Sequence, residues 1–181
     1  MGVIQVIFVV ETSKNKKTDD RYIDKLVKAV YDSSSNDIKF QYVHMGGKTK
    51  YNKENVQKDI NSFIKQNKDG KNHVLYCFDT DRIDNNPEEV KKLQIYENYC
   101  KENGYHFVWF CSDIETVFLG RSVPDSEKET ESKKFGKKDF ELTKSMVKRM
   151  SEKNNDNKTK KNSNILFVLN SILSLDIFKE K

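Results

Sequence analysis

Hydrophobic residues in this chain come in short dense runs separated by long polar stretches. Residues 3–10 (VIQVIFVV) form a nearly continuous β-branched and aromatic run, the pattern of a strand covered on both faces. Comparable runs recur at 38–43 (IKFQYV), 73–78 (HVLYCF) and 105–111 (YHFVWFC). Between them, apolar positions return at helical spacing. Tyr22, Ile23, Leu26, Val27 and Val30 predict a helix over about 19–32, capped by Thr18 or Asp19. Val56, Ile60, Phe63 and Ile64 predict a second over about 52–66. Pro87, with Glu88 and Glu89 in the first turn, opens a third that stops near Gly104. A short helix over about 113–120 follows the fourth run.

Strand and helix thus alternate four times in residues 1–120. Such alternation means right-handed βαβ units. The expected fold class is α/β: a Rossmann-like, four-stranded, mainly parallel sheet with helices on both faces, plus C-terminal helices. Residues 121–181 are expected to complete the same single domain. Within them, 121–138 read as a charged loop, 139–150 as a helix and 151–164 as a mobile polar stretch. A last amphipathic helix over about 164–178, carrying Ile165, Leu166, Leu169, Ile172, Leu173 and Ile177, should dock on the sheet or pair with another subunit.

Composition adds constraints rather than a function. The 181 residues suit one domain. Thirty-three basic and 28 acidic residues leave a net charge of +5, which permits a polyanionic partner without requiring one. Cys77, Cys100 and Cys111 lack metal-type spacing and read as buried residues in a reducing compartment. His44, His73 and His106 are scattered. No stretch approaches the ~18 apolar residues of a membrane span, and the first run lacks the flanks of a signal peptide. The expected location is cytoplasmic, with no membrane contact.

Chemistry is concentrated where strands end. Open parallel sheets bind ligands beyond the carboxyl ends of their strands, where strand order reverses. Glu11 ends the first run, Asp79 and Asp81 end the third, and Glu115 lies just past the fourth. If the first and third strands are neighbours, these carboxylates converge and repel unless a cation sits among them. Hard oxygen ligands of this kind suit Mg²⁺ or Mn²⁺. Taken singly, each acid is as readily a turn former or a solvated side chain. Gly46-Gly47-Lys48-Thr49 has the tail of a phosphate-binding loop, but Tyr42 stands at the first Gly position, so a plain turn is preferred.

A Glu closing the first strand, with Asp79-Thr80-Asp81 closing the third, resembles the Toprim signature of topoisomerases, primases and related nucleases. Ser112-Asp113-Ile114-Glu115 resembles an additional acidic motif of overcoming-lysogenisation-defect (OLD) nucleases and RloB-like proteins. Thr18-Asp19-Asp20-Arg21-Tyr22 is similar to the Thr-Glu-x-x-Tyr opening the first helix of RloB-like proteins, which puts Asp19 at the second acidic position. Phe135-Gly136-Lys137-Lys138-Asp139 resembles a later Lys-rich motif, with Lys137 as phosphate contact.

The resemblance covers about residues 3–140. It implies a magnesium-dependent Toprim nuclease acting on DNA or RNA, of a kind found in phage defence. Asp79 and Asp81 would hold the ion, Asp19 and Glu115 would support a second, and Glu11 would act as ligand or general acid/base. The amphipathic C-terminal helix allows a homo-oligomer, and a partner ATPase subunit is the other expected protein partner. Thr12 stands where Toprim domains usually carry Gly, which challenges the first turn. The rival reading is a non-catalytic Toprim-like accessory or nucleic-acid-binding module. A receiver-like phosphoacceptor domain fits less well, because that class pairs two acids after its first strand.

Overall fold

In the computed structural model, residues 2–31, 37–81, 86–153 and 161–175 are described. Four strands form one sheet: β1 (Ile4–Val10), β2 (Ile38–His44), β3 (Lys71–Asp79) and β4 (His106–Phe110). All three pairings are parallel and the order is β2-β1-β3-β4. β1 and β3 are therefore neighbours, and the chain reverses direction across the sheet between them. The α/β, Rossmann-like expectation holds.

Two-residue periodicity divides the core. Val6, Phe8 and Val10 of β1, with Leu75 and Cys77 of β3, face one side. There they meet α1 (Thr18–Val30), α4 (Ile114–Leu119), α6 (Lys144–Met150) and α7 (Ile165–Leu173). Ile7 and Val9, with Val74, Tyr76 and Phe78, face α2 (Glu54–Gln66) and α3 (Pro87–Glu102). α3 opens as its sequence predicts: the Asn86 side chain accepts the Glu88 and Glu89 N–H groups ahead of Pro87.

Four expectations are corrected. Residues 121–138 are not a loop, because α5 (Asp125–Lys137) is helical and lies along α1. It buries little apolar surface, so its sequence carries no stripe; it is fixed instead by Ser132, whose hydroxyl donates to Thr18 O at 3.0 Å, and by Phe135 against Tyr22. α1 is not capped by Thr18 or Asp19. Lys17 holds the cap position in a left-handed conformation, and the Asp19 carboxylate is engaged in the β1–α1 loop. The helix expected over 139–150 begins only at Lys144, where Thr143 caps it.

The polar stretch 151–164 ends in order rather than mobility. Ser163 bridges Phe110 of β4, and Asn164 accepts Trp109 N–H while donating to Phe107 O, each at 2.9 Å. An uncovered strand edge leaves backbone groups unpaired, and this segment supplies the partners. Asn164→Ala should cost about 2–4 kcal/mol, since it strands two backbone groups beside a buried strand; denaturant unfolding measures it. Of the two fates expected for the last helix, α7 has the docked one, with Ile165, Leu166, Val168 and Leu169 buried. Ile177 lies outside the described residues. No helix among the described residues is long and apolar enough to cross a membrane.

An acidic recess at the carboxyl edge of the sheet

The reversal between β1 and β3 puts their C-terminal tips side by side, and a recess of about 650 Å³ opens over them. Glu11, Asp19, Asp79 and Glu115 all line it. Each arrives by a different route. Glu11 follows β1 and Asp79 ends β3. Asp19 lies in the first turn of α1, and Glu115 in the first turn of α4. Two positive-φ glycines, Gly46 and Gly47, turn the chain after β2 so that Gly47 N–H reaches Glu11 O at 2.7 Å.

The carboxylates hold the loops as well as lining the recess. Glu11 Oε1 accepts the Asp79 N–H at 2.8 Å, and Asp79 Oδ1 accepts the Ile114 N–H at 3.0 Å. One chain of bonds thus ties the tips of β1 and β3 to the start of α4. Asp19 accepts the Thr12 N–H at 3.3 Å and the Thr18 hydroxyl at 3.1 Å. Thr12 keeps an ordinary φ: outside glycine, the described residues with positive φ are Lys17, Asp81 and Ser174. The first turn therefore accommodates Thr12 without a glycine.

Burial and mutual repulsion raise every one of these acids. Burial pushes Glu11 up to about 8, against the lowering by the Asp79 N–H and Lys48. Burial likewise lifts Asp19 to about 6 and Glu115 to about 7. Asp79 is raised well above the usual carboxylate range, first by burial and then by the charges of Glu11, Asp19, Glu115 and Asp113. Glu115 is only 3% exposed and Asp19 8%. Carboxyls raised in this way hold their protons to higher pH than ordinary carboxylates.

Lys128 of α5 is a cation at the recess, and the sequence reading missed it. Its Nζ lies 3.0 Å from Asp113, 3.3 Å from Asp125 and 3.6 Å from Glu115. Glu115 and Asp113 hold its ammonium above the ordinary lysine range despite burial, which lowers it. The available signal was Pro124 followed by Asp125 and Glu127, a helix start that would have put Lys128 on an ordered element.

Two sequence candidates fall elsewhere. Asp81, in a left-handed conformation, pairs with Lys48, which also reaches Glu89 at 3.2 Å. It lines an adjoining recess with Asp113, Asp125 and Lys128. Lys137 stands near the far end of α5 in a third recess. The histidines are engaged in other contacts: His44 meets Asp20 at 3.0 Å, and His73 and His106 lie 3.3 Å apart.

The donor set fits a hard divalent cation. It is all oxygen, and the second oxygens of Glu11 and Asp79 take no hydrogen bond from the described residues. Among the described residues, no three acidic, imidazole or thiol groups already stand in a coordination arrangement. No protein-family model, curated protein or solved structure matches the chain.

Proposed function

We propose that this protein is a metal-dependent nuclease of the Toprim type, with Mg²⁺ or Mn²⁺ held among Glu11, Asp19, Asp79 and Glu115. The observation that carries the reading is that these four carboxylates, Asp19 and Glu115 buried and Glu11 and Asp79 half-buried, line one recess at the β1–β3 reversal. A divalent ion there would orient a water and neutralise charge at the scissile phosphate. Asp79 and Glu11 would position it while their bonds to Ile114 N–H and Asp79 N–H keep the strand tips in register. Lys128, held at the recess by Asp113 at 3.0 Å, would supply a cation beside the phosphate oxygens. A part in phage defence follows only from the likeness to RloB-like and OLD proteins.

The edge is rich in acids, and a polyanion would be repelled from it without bound cations. The rival reading is an accessory module that binds nucleic acid without cutting. It is favoured by Asp81, whose charge Lys48 already compensates and which lines the adjoining recess rather than the one that holds Glu11 and Asp79. The two separate in one assay. Single- and double-stranded DNA and RNA are incubated with Mg²⁺, Mn²⁺ or a chelator, using the native protein and Glu11→Gln. Metal-dependent cleavage that the variant lowers about 100-fold or more supports the nuclease. Binding without cleavage by the native protein overturns it.

A further inference from the structure

The third recess, of about 280 Å³, lies farther along the seam between α1 and α5. Arg21, Asp24 and Lys25 of α1 line it with Lys133, Gly136 and Lys137 of α5. Four cations thus face a single carboxylate, and that carboxylate is already paired, because Lys28 holds Asp24 at 2.7 Å. Arg21 and Lys25 donate to neutral acceptors, the Ser132 hydroxyl at 3.2 Å and Lys138 O at 2.7 Å. Among the described residues, only Lys133 of the four has an ion-pair partner, Glu129, whose charge also reaches Arg21. The cationic charge of this recess is therefore mostly uncompensated.

Its position matters as much as its charge. The acidic recess is lined by the first turns of the same two helices, at Thr18, Asp19, Asp125 and Lys128. From Asp19 to Lys25 the helix advances about 9 Å. A chain of phosphates entering the seam would thus meet the acidic centre at one end and the cationic recess within a nucleotide or two of it. Gly136 keeps the floor low, since a Cβ there would lie 3.4 Å from Arg21 Cδ.

We propose that the Arg21–Lys25–Lys133–Lys137 recess binds the phosphate backbone of a nucleic acid flanking the acidic centre. The proposal rests on the reading that the partner is a nucleic acid, but not on the chain being a nuclease. Lys137, which the likeness to a Lys-rich motif makes a phosphate contact, would make that contact in this recess rather than in the acidic one.

The test is fluorescence anisotropy of labelled DNA and RNA oligonucleotides in chelator across a salt series. Lys25→Glu/Lys137→Glu and Gly136→Glu are compared with the native protein. Gly136→Glu favours the helix while placing a carboxylate in the recess, so it guards against a folding defect in the double variant. The double variant should bind about 10-fold or more weakly and lose about 1.5 from the slope of log K against log salt. Gly136→Glu should weaken binding in the same direction, and Lys101→Glu, exposed on α3 across the sheet, should leave the slope unchanged.

Unchanged affinity and slope in both recess variants would overturn the proposal. So would a native protein that binds anionic phospholipid vesicles but no oligonucleotide. A native protein that binds with this slope yet never cleaves would keep the proposal and refute the nuclease. Cleavage with an unaltered KM in the recess variants would do the reverse.

Discussion

Asp79→Asn should abolish metal-dependent cleavage and, in the metal-free protein, raise thermal stability. The two effects have one cause. Asp79 sits at the tip of β3 among Glu11, Asp19, Glu115 and Asp113, whose charges add to burial in opposing its ionisation. Holding it there costs folding energy that a bound cation would recover. Asparagine keeps the oxygen that accepts the Ile114 N–H, so the start of α4 stays anchored. It loses the anionic donor, which should lower the rate about 100-fold or more. The same exchange removes a carboxylate whose ionisation burial and its acidic neighbours oppose, so the Tm of the metal-free protein should rise near neutral pH. An ordinary buried hydrogen-bonding residue would show the opposite stability change. Matched melting curves and single-turnover cleavage measure both halves, and a destabilised Asp79→Asn would show that this carboxylate is structural.

What could be read from sequence follows the physics of each element. The strands were legible because both faces are buried, which forces nearly unbroken apolar runs such as VIFVV in β1. Once β1 and β3 were neighbours, Glu11 and Asp79 had to meet, since each adjoins its strand's end. Asp19 and Glu115 came from motif likeness, and they line the same recess. Asp81 lies in the adjoining recess by the same logic of local geometry. Two residues past Asp79 the backbone turns left-handed, and Lys48, on a different loop, captures the side chain. Lys128 was hidden because α5 docks mainly through polar and charged contacts, with Phe135 as its chief apolar anchor, which leaves no periodic stripe to reveal a helix. A side chain fixed by tertiary contact between charged surfaces leaves little trace in hydrophobic pattern.

The metal-free protein should lose stability as pH rises, and excess Mg²⁺ should cancel the loss. The folded state raises Asp19 to about 6, Glu115 to about 7 and Glu11 to about 8. Their unfolded values lie near 4. Between those limits the folded chain keeps protons that the unfolded chain has released. Stability is therefore greatest below about pH 4 as far as these groups are concerned, falls through the window to about 8, and then levels off. The decline should amount to about 3–5 kcal/mol, carried mainly by Asp19 and Glu115; Glu11, partly open to the recess, is screened and adds less. Lys128 beside Glu115 limits the loss without removing it. A divalent cation replaces the protons, so its stabilisation should be small near pH 5 and large near pH 8, with protons released on binding. Thermal melts across this range, with chelator or Mg²⁺, separate the claims. A metal-free Tm that climbs from pH 5 to 8 would refute the buried-acid account. A normal decline that Mg²⁺ leaves untouched would instead remove the metal and keep the acids.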